Sequence, residues 1–383
     1  MMKCAFCWAV ALFSALLLST ACADDNVVKR DNVGVYYYPG WKHSPPLVND
    51  HPWDAIRKYG GREPLLGWYD EGSVDVATRQ LQWMHDYGID FVIYDWYWVN
   101  EGGAALTQAI DAYLKSPARS SVKFSILWAN HTDTPSSVEQ FDAIVDYWIA
   151  HYFGQASYYR VNGMPVVFIF APYDLQGKAS SFGTDVSQLF ERAREKAVQA
   201  GLPGIYFVAT SQAVAGPVEQ DLPDMGYAAI SAYNYHFGLD GSWSRNTPLS
   251  HSYAELAGGY RKSWMWILAH SKLPYFVPVT SGWDKRPWGG SPDRLHDMSY
   301  GTPGEFGEHL RQAQAVLDQY PEKTLRTVVI CCWNEFGEGS YIEPTRKWGF
   351  DYLKQIRTSS TQVRRENSTA RDGHVPIAGT TSP

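Results

Sequence analysis

Eight short apolar, β-rich runs recur along this chain, with segments of helical period between them, and no other feature restricts its fold as tightly. The runs are NVGVYYY (32–38), FVIYDWYW (91–98), VKFSILWA (122–129), PVVFIFA (165–171), IYFVATS (205–211), YAAISAYN (227–234), YFVPVTS (275–281) and TVVICCWN (327–334). Near-continuous hydrophobicity, in place of strict alternation, is what strands covered on both faces require. Val186, Leu189, Phe190, Ala193 and Ala197 mark one face of a helix over 184–200. Phe306, Leu310, Ala313, Val316, Leu317 and Tyr320 mark another before the last run, and weaker patterns predict helices near 74–87, 104–115, 137–153, 253–270 and 346–357. Eight strands alternating with helices predict an α/β protein, a single (β/α)8 TIM barrel. An open doubly wound sheet is the runner-up, ranked second because no glycine-rich phosphate loop follows the first run.

The ends read differently from this middle. Lys3, the apolar AFCWAVALFSALLL and Ala21-Cys22-Ala23 together predict a signal peptide over 1–23, cleaved near Ala23. A lipoprotein modified at Cys22 ranks second, since Ser19 stands where a lipid-attachment pattern wants an aliphatic residue. No later run is long and apolar enough to span a bilayer. The barrel is expected over 24–357, with a disordered tail over 358–383 where Ser, Thr, Arg and Pro take over. The mature chain is thus expected to be secreted or periplasmic, and a monomer.

After cleavage only Cys331 and Cys332 remain, and adjacent cysteines are not expected to pair, so no disulfide framework is anticipated. No zinc-type spacing occurs, and neither metal nor cofactor is expected. A net charge of -7 argues against nucleic acid as a partner. The 16 Trp and 25 Tyr suit a carbohydrate partner, because each ring offers an apolar face and a hydrogen-bonding edge, but they suit interfaces or an aromatic-rich core as well, so position along the chain decides.

Three connections are long and rich in aromatic residues or glycine, over 39–72, 235–249 and 282–300, and all would lie on the carboxyl face, where barrel enzymes keep their sites. That face would gather Tyr37, Tyr38 and Trp41 from the first strand, and Asp95, Trp96 and Tyr97 from the second. The third supplies Trp128, Asn130 and His131, the sixth Tyr233, Asn234, Tyr235 and His236, the seventh Trp283 and Asp284, and the eighth Asn334. Tyr36, Tyr37 and Tyr38 alternate across a strand, so at least one of them faces the core or the helices. Asp95 also suits a turn cap. The sequons at Asn130 and Asn367 carry meaning only in a glycosylating cell.

WNEFGEGSYIEPT (333–345) follows the last strand and places Glu335 and Glu338 three residues apart, on one face if a helical turn begins there. Glycoside hydrolysis requires such a pair, one carboxyl to protonate the leaving oxygen and one to work on the other side of the reaction. Proximity would split their pKa values, keeping one protonated and one ionised. Glu343, beside Pro344, suits a supporting role better than a catalytic one.

The segments VYYYPGW, GIDFVIYDWYW, LWAN, GWD and WNEFGEGSYIEPT resemble the glycoside hydrolase family 99-like proteins, which include endo-acting α-mannosidases and a bacterial branch named WbsX. The resemblance implies that Glu335 deprotonates the substrate's 2-hydroxyl to give a 1,2-anhydro sugar, with Glu338 as acid and then base. The residue spacing alone fits an ordinary double displacement equally well. Phe336 stands where the family usually has Trp, and LWAN and GWD lie closer to the WbsX branch. The leading expectation is an exported, retaining, α-mannosidase-like glycoside hydrolase. A WbsX-type glycosyltransferase and a non-catalytic glycan-binding barrel are the alternatives; export and the lack of an Asp-x-Asp weigh against the first, and the presence of both glutamates against the second.

Overall fold

Period two along each apolar run sorts its side chains into two separate cores. The computed structural model describes residues 31–42, 51–100, 102–235 and 248–358. The expected signal peptide, all of the expected tail but Thr358, Asn367 and His236 lie outside them. All eight expected strands form: β1 Asn32–Tyr37, β2 Phe91–Val99, β3 Lys123–Trp128, β4 Met164–Ile169, β5 Tyr206–Thr210, β6 Ala229–Ser231, β7 Val277–Thr280 and β8 Thr327–Cys331. They are parallel and ordered β6-β5-β4-β3-β2-β1-β8-β7. A parallel bridge between Ile230 and Tyr275 joins the two ends of that order. The result is a nearly closed eight-stranded parallel barrel.

Tyr36, Phe91, Ile93, Leu127, Val166, Phe168, Val208 and Val329 fill the barrel interior as one cluster. Their neighbours on the same strands, among them Val35, Tyr37, Val92, Tyr94, Trp96, Ile126 and Trp128, pack outward into a second cluster shared with the helices. The layer of helices includes α1 Val74–Asp86, α2 Gln108–Lys115, α3 Val138–Trp148, α4 Pro172–Ser181, α5 Val186–Gln199, α6 Tyr253–His270 and α7 Pro303–Gln319, and the last expected helix is helical over 351–358. Side-chain oxygens of Ser73, Ser137, Asp185, Ser252 and Thr302 accept from first-turn amides, so each of those helices starts where its cap sits.

Three local expectations change. Helix α2 begins at Gln108, because Gly103–Ala105 pairs antiparallel with Tyr97–Val99 and extends β2 into a hairpin. Helix α4 was not expected at all. Cys331 and Cys332 do pair: their sulfurs are bonded to one another, and a cis peptide joins the two residues with Cα atoms 2.9 Å apart. No helix of the described residues is long and apolar enough to cross a membrane.

Candidate active site

Strand β8 ends in a buried reverse turn that carries both glutamates. Asn334–Glu335 pairs antiparallel with Ser340–Tyr341, and the Glu338 amide donates to the Glu335 carbonyl at 3.2 Å. The expected helical turn is therefore a β-hairpin, and a β-turn brings residues i and i+3 together instead. Gly337 lies against the Trp288 ring, where an added Cβ would come within 2.1 Å of a ring carbon. Gly339 holds φ at +73° and lies against the backbone of Asp284. The Asp284 amide donates to the Glu338 carbonyl at 2.6 Å, fastening the hairpin to the connection after β7.

The inward positions of β1, β2 and the β6 end surround this turn. Asp95 is buried, and the Tyr233 hydroxyl lies 3.0 Å from its Oδ2 and 2.9 Å from Oε1 of Glu335. Glu338 lines a cleft of about 520 Å³ together with Phe170, Thr210, Gln212, Tyr233 and Asn234. Burial drives the Glu335 carboxyl well above the usual range, and the charges of Glu338 and Asp95 add to it. Burial lifts Glu338 to about 7, partly offset by Lys285. Burial also raises Asp95, against the Tyr233 hydroxyl, which favours the ionised form. Tyr38 and Tyr97 stand in the field of the same carboxylates, which raises both phenols beyond the effect of burial.

One hydroxyl proton cannot serve two carboxylates. With both oxygens within hydrogen-bond distance of Tyr233, the arrangement is satisfied when one acid is protonated and donates to the phenol oxygen, which in turn donates to the other. Oδ1 of Asp95 and Oε2 of Glu335 are buried without a hydrogen-bond partner among the described residues.

Several expected binding residues do other work. Tyr37, Trp96 and Trp128 point away from the barrel axis: Tyr37 donates to Gln80 at 3.1 Å, Trp96 to the Tyr152 hydroxyl at 3.2 Å, and Trp128 packs on Phe141 and Trp148. Tyr235 pairs hydroxyls with Tyr275 at 2.8 Å inside the core. Asn130 clamps both backbone groups of Ala171, each at 2.8 Å, and Asn334 does the same to Tyr38 at 2.8 and 2.9 Å. Trp41 is buried, stacked on Trp53 with centroids 4.2 Å apart, and its indole donates to the Asn334 carbonyl. Trp283 is anchored on Ser291 at 3.0 Å. The Asp284 carboxylate pairs with Arg62 and Arg286, which outweigh its burial and hold it below the usual range. Each of these side chains is engaged by the fold through the contacts just given. Asn234 keeps its place at the cleft, its Oδ1 accepting from Tyr260 at 3.0 Å.

Other participants went unnoticed in the sequence. Lys285 is the cation acting on the acid pair, and GWDKRPW offered it only as a charged loop residue. Phe170, Thr210 and Gln212 form the cleft wall opposite the hairpin. Buried Glu71 accepts from the amides of Trp41 and Lys42 and from Gln108, each at 3.0 Å, and is lifted by burial to about 7. Glu343 accepts from Tyr69 at 2.7 Å and Gln80 at 3.0 Å, a bracing position consistent with the expected supporting role.

Residues 58–356 match the protein-family model described as glycosyltransferase WbsX. The uncharacterised protein WxcX of Xanthomonas campestris is 22% identical over 316 residues; the match covers 78% of this chain but 43% of that protein. Among solved structures, a GH99 endo-α-mannosidase from Bacteroides thetaiotaomicron superposes with a TM-score of 0.60 at 17% identity, over 88% of this chain and 99% of that one. A glycoside hydrolase-like protein gives a TM-score of 0.60 at 16% identity, over 86% and 94% of the two chains. These similarities establish a shared fold.

Proposed function

The chain belongs to the WbsX family, and from that premise we propose that it is an exported glycoside hydrolase in which Glu335 and Glu338 work as base and acid. The observation that carries the reading is the buried trio Asp95–Tyr233–Glu335 beside Glu338 in a cleft walled by aromatic and amide side chains. Asp95 is the protonated member. That choice follows from the role given to Glu335, which must be ionised to act as base; burial raises both acids, and each has one buried oxygen without a partner among the described residues. Asp95 then donates to Tyr233, and Tyr233 donates to Glu335, which stays ionised despite its burial. Oε2 of Glu335 accepts the proton of the nucleophile, the sugar's 2-hydroxyl in the route implied by the family 99 resemblance. Glu338, lifted to about 7 by burial, keeps a proton near neutral pH and gives it to the leaving oxygen. It then activates the water that opens the intermediate, so the anomeric configuration is retained.

The B. thetaiotaomicron likeness favours an α-mannosidic linkage, and the proposed domain is the barrel over 24–357, behind a signal peptide and ahead of a tail. A digestion screen over glycans, with products followed by NMR, tests the reading. Release of a reducing end that first appears with the configuration of the cleaved bond is expected; an inverted product refutes the mechanism, and no cleavage across the panel refutes the activity. The family's description as a glycosyltransferase supports a second reading. Saturable binding of a nucleotide-sugar in calorimetry, with sugar transfer to an acceptor, would replace hydrolysis by that reading.

A further inference from the structure

The hairpin at 334–341 has a second cleft behind it, of about 370 Å³, within the range of small-molecule sites. Glu338 lines the first cleft, whereas the neighbouring Gly339 and Tyr341 line this one. Its wall brings three cations, Arg62, Arg286 and Lys347, to a single carboxylate, Asp284. The chain as a whole carries -7, so this is a local reversal of sign. Arg62 is consumed by the fold, donating to Asp284 and to the Phe336 and Asp284 carbonyls. Arg286 spends only Nε and Nη2 on Asp284, at 2.7 and 2.6 Å, and its side chain is 45% exposed. The Lys347 ammonium forms no ion pair among the described residues; it lies 4.4 Å from the Trp348 ring centroid, with its stem over Gly61.

Two further features mark a place for a ligand. Tyr300 is 44% exposed at the rim, 5.9 Å under Arg286, and Trp348 is partly exposed beside Lys347. Exposed aromatic faces beside cations suit a ring that carries both C–H surface and negative charge. Ser281 in the wall is 2% exposed, and its Oγ has no hydrogen-bond partner among the described residues. A buried hydroxyl without a partner is uncommon in a settled interior.

We propose that this cleft is a second binding site, for an anionic saccharide unit bearing a carboxylate, sulfate or phosphate group. Arg286 and Lys347 hold the anionic group, while Tyr300 and Trp348 pack on the ring. The site stands on its own residues and does not require that the first cleft cleave glycosides. A glycan with acidic units would engage both sides of the hairpin at once.

The test is calorimetric titration of the full chain with digalacturonate, a galactose-6-sulfate disaccharide, galactose 6-phosphate and neutral galactobiose, in the wild type, Glu335→Gln, Lys347→Glu and Tyr300→Ala. At least one acidic probe is expected to bind about tenfold more tightly than galactobiose, more weakly as salt rises. The ranking of the three identifies the anionic group. Glu335→Gln should keep that binding, which separates this site from the proposed reaction centre. Lys347→Glu should weaken it by about fivefold or more, and Tyr300→Ala measurably, with circular dichroism unchanged. Both positions are exposed, so folding is not at stake. Equal binding of acidic and neutral probes, no binding by any acidic probe at millimolar concentration, or indifference to Lys347→Glu overturns the proposal.

Discussion

Tyr233 is where the chemistry of single residues is easiest to isolate. Its hydroxyl joins Asp95 to Glu335, and donation to Glu335 opposes the upward push of burial and of neighbouring charge. Tyr233→Phe keeps the ring and removes the link. Glu335 then loses a hydrogen bond that favours its ionised form, so its pKa rises further. In the proposed hydrolysis this lowers kcat/KM by about a hundredfold, and the acidic limb of the pH–rate profile moves to higher pH. A profile that stays in place would show that Tyr233 does not set the charge of Glu335. The misplaced site residues also belong to this scale. Asp95 and Tyr97 face inward and Trp96 outward, because side chains alternate along a strand. The same parity turns Tyr37 away while Tyr36 and Tyr38 face in. Periodicity was therefore legible, but the sequence offered no sign of which parity faces the axis, and a Trp at a strand end reads as a binding residue either way. Asn130 and Asn334 misled for another reason: an amide that clamps a backbone and one that binds a hydroxyl are the same residue type.

The hairpin at 334–341 is the element on which the candidate site depends. Its turn fits because Gly339 takes a left-handed φ and lets the Asp284 backbone approach. Gly339→Ala sets a Cβ about 2.8 Å from the Asp284 amide nitrogen and adds the strain of a positive φ. A loss of about 1–3 kcal/mol in unfolding free energy is expected, together with a larger fall in activity than in stability, since Glu338 sits beside the strain. Denaturant melts and kinetics on the same sample check both. The base of the hairpin is braced by Glu343 through Tyr69 and Gln80. Burial lifts Glu343 to about 8, above its unfolded value, so the folded state holds the extra proton. Stability from this group is present at low pH and lost as pH rises toward 8. Glu343→Gln, fixed in the neutral form, should flatten the decline in Tm between pH 5 and pH 8; an unchanged slope would contradict the assignment. Element identity was largely readable, since every apolar run became a strand. Helix α4 escaped because it buries only Pro172, Leu175 and Ala179, a stripe too thin to show a period among serines and a glycine.

At the scale of the whole molecule, a ring of parallel strands turns eight carboxyl ends into one mouth, so Tyr38, Asp95, Tyr233 and Glu335 meet from positions scattered along the chain. Alternating strands and helices predicted that convergence, and the hairpin, its glycines and the Lys285 loop give it a chemical direction. What the sequence concealed was mostly coupling between distant loops, such as Arg62 reaching Asp284 and Phe336, for which local pattern carries no signal. The central claim is that the two hairpin glutamates carry out glycoside cleavage. Its most direct test is kcat/KM of Glu335→Gln and Glu338→Gln on a glycan the wild type cleaves, with folding verified by thermal melts. Each variant is expected to lose about a thousandfold or more while melting like the wild type; full activity in either one would contradict the account.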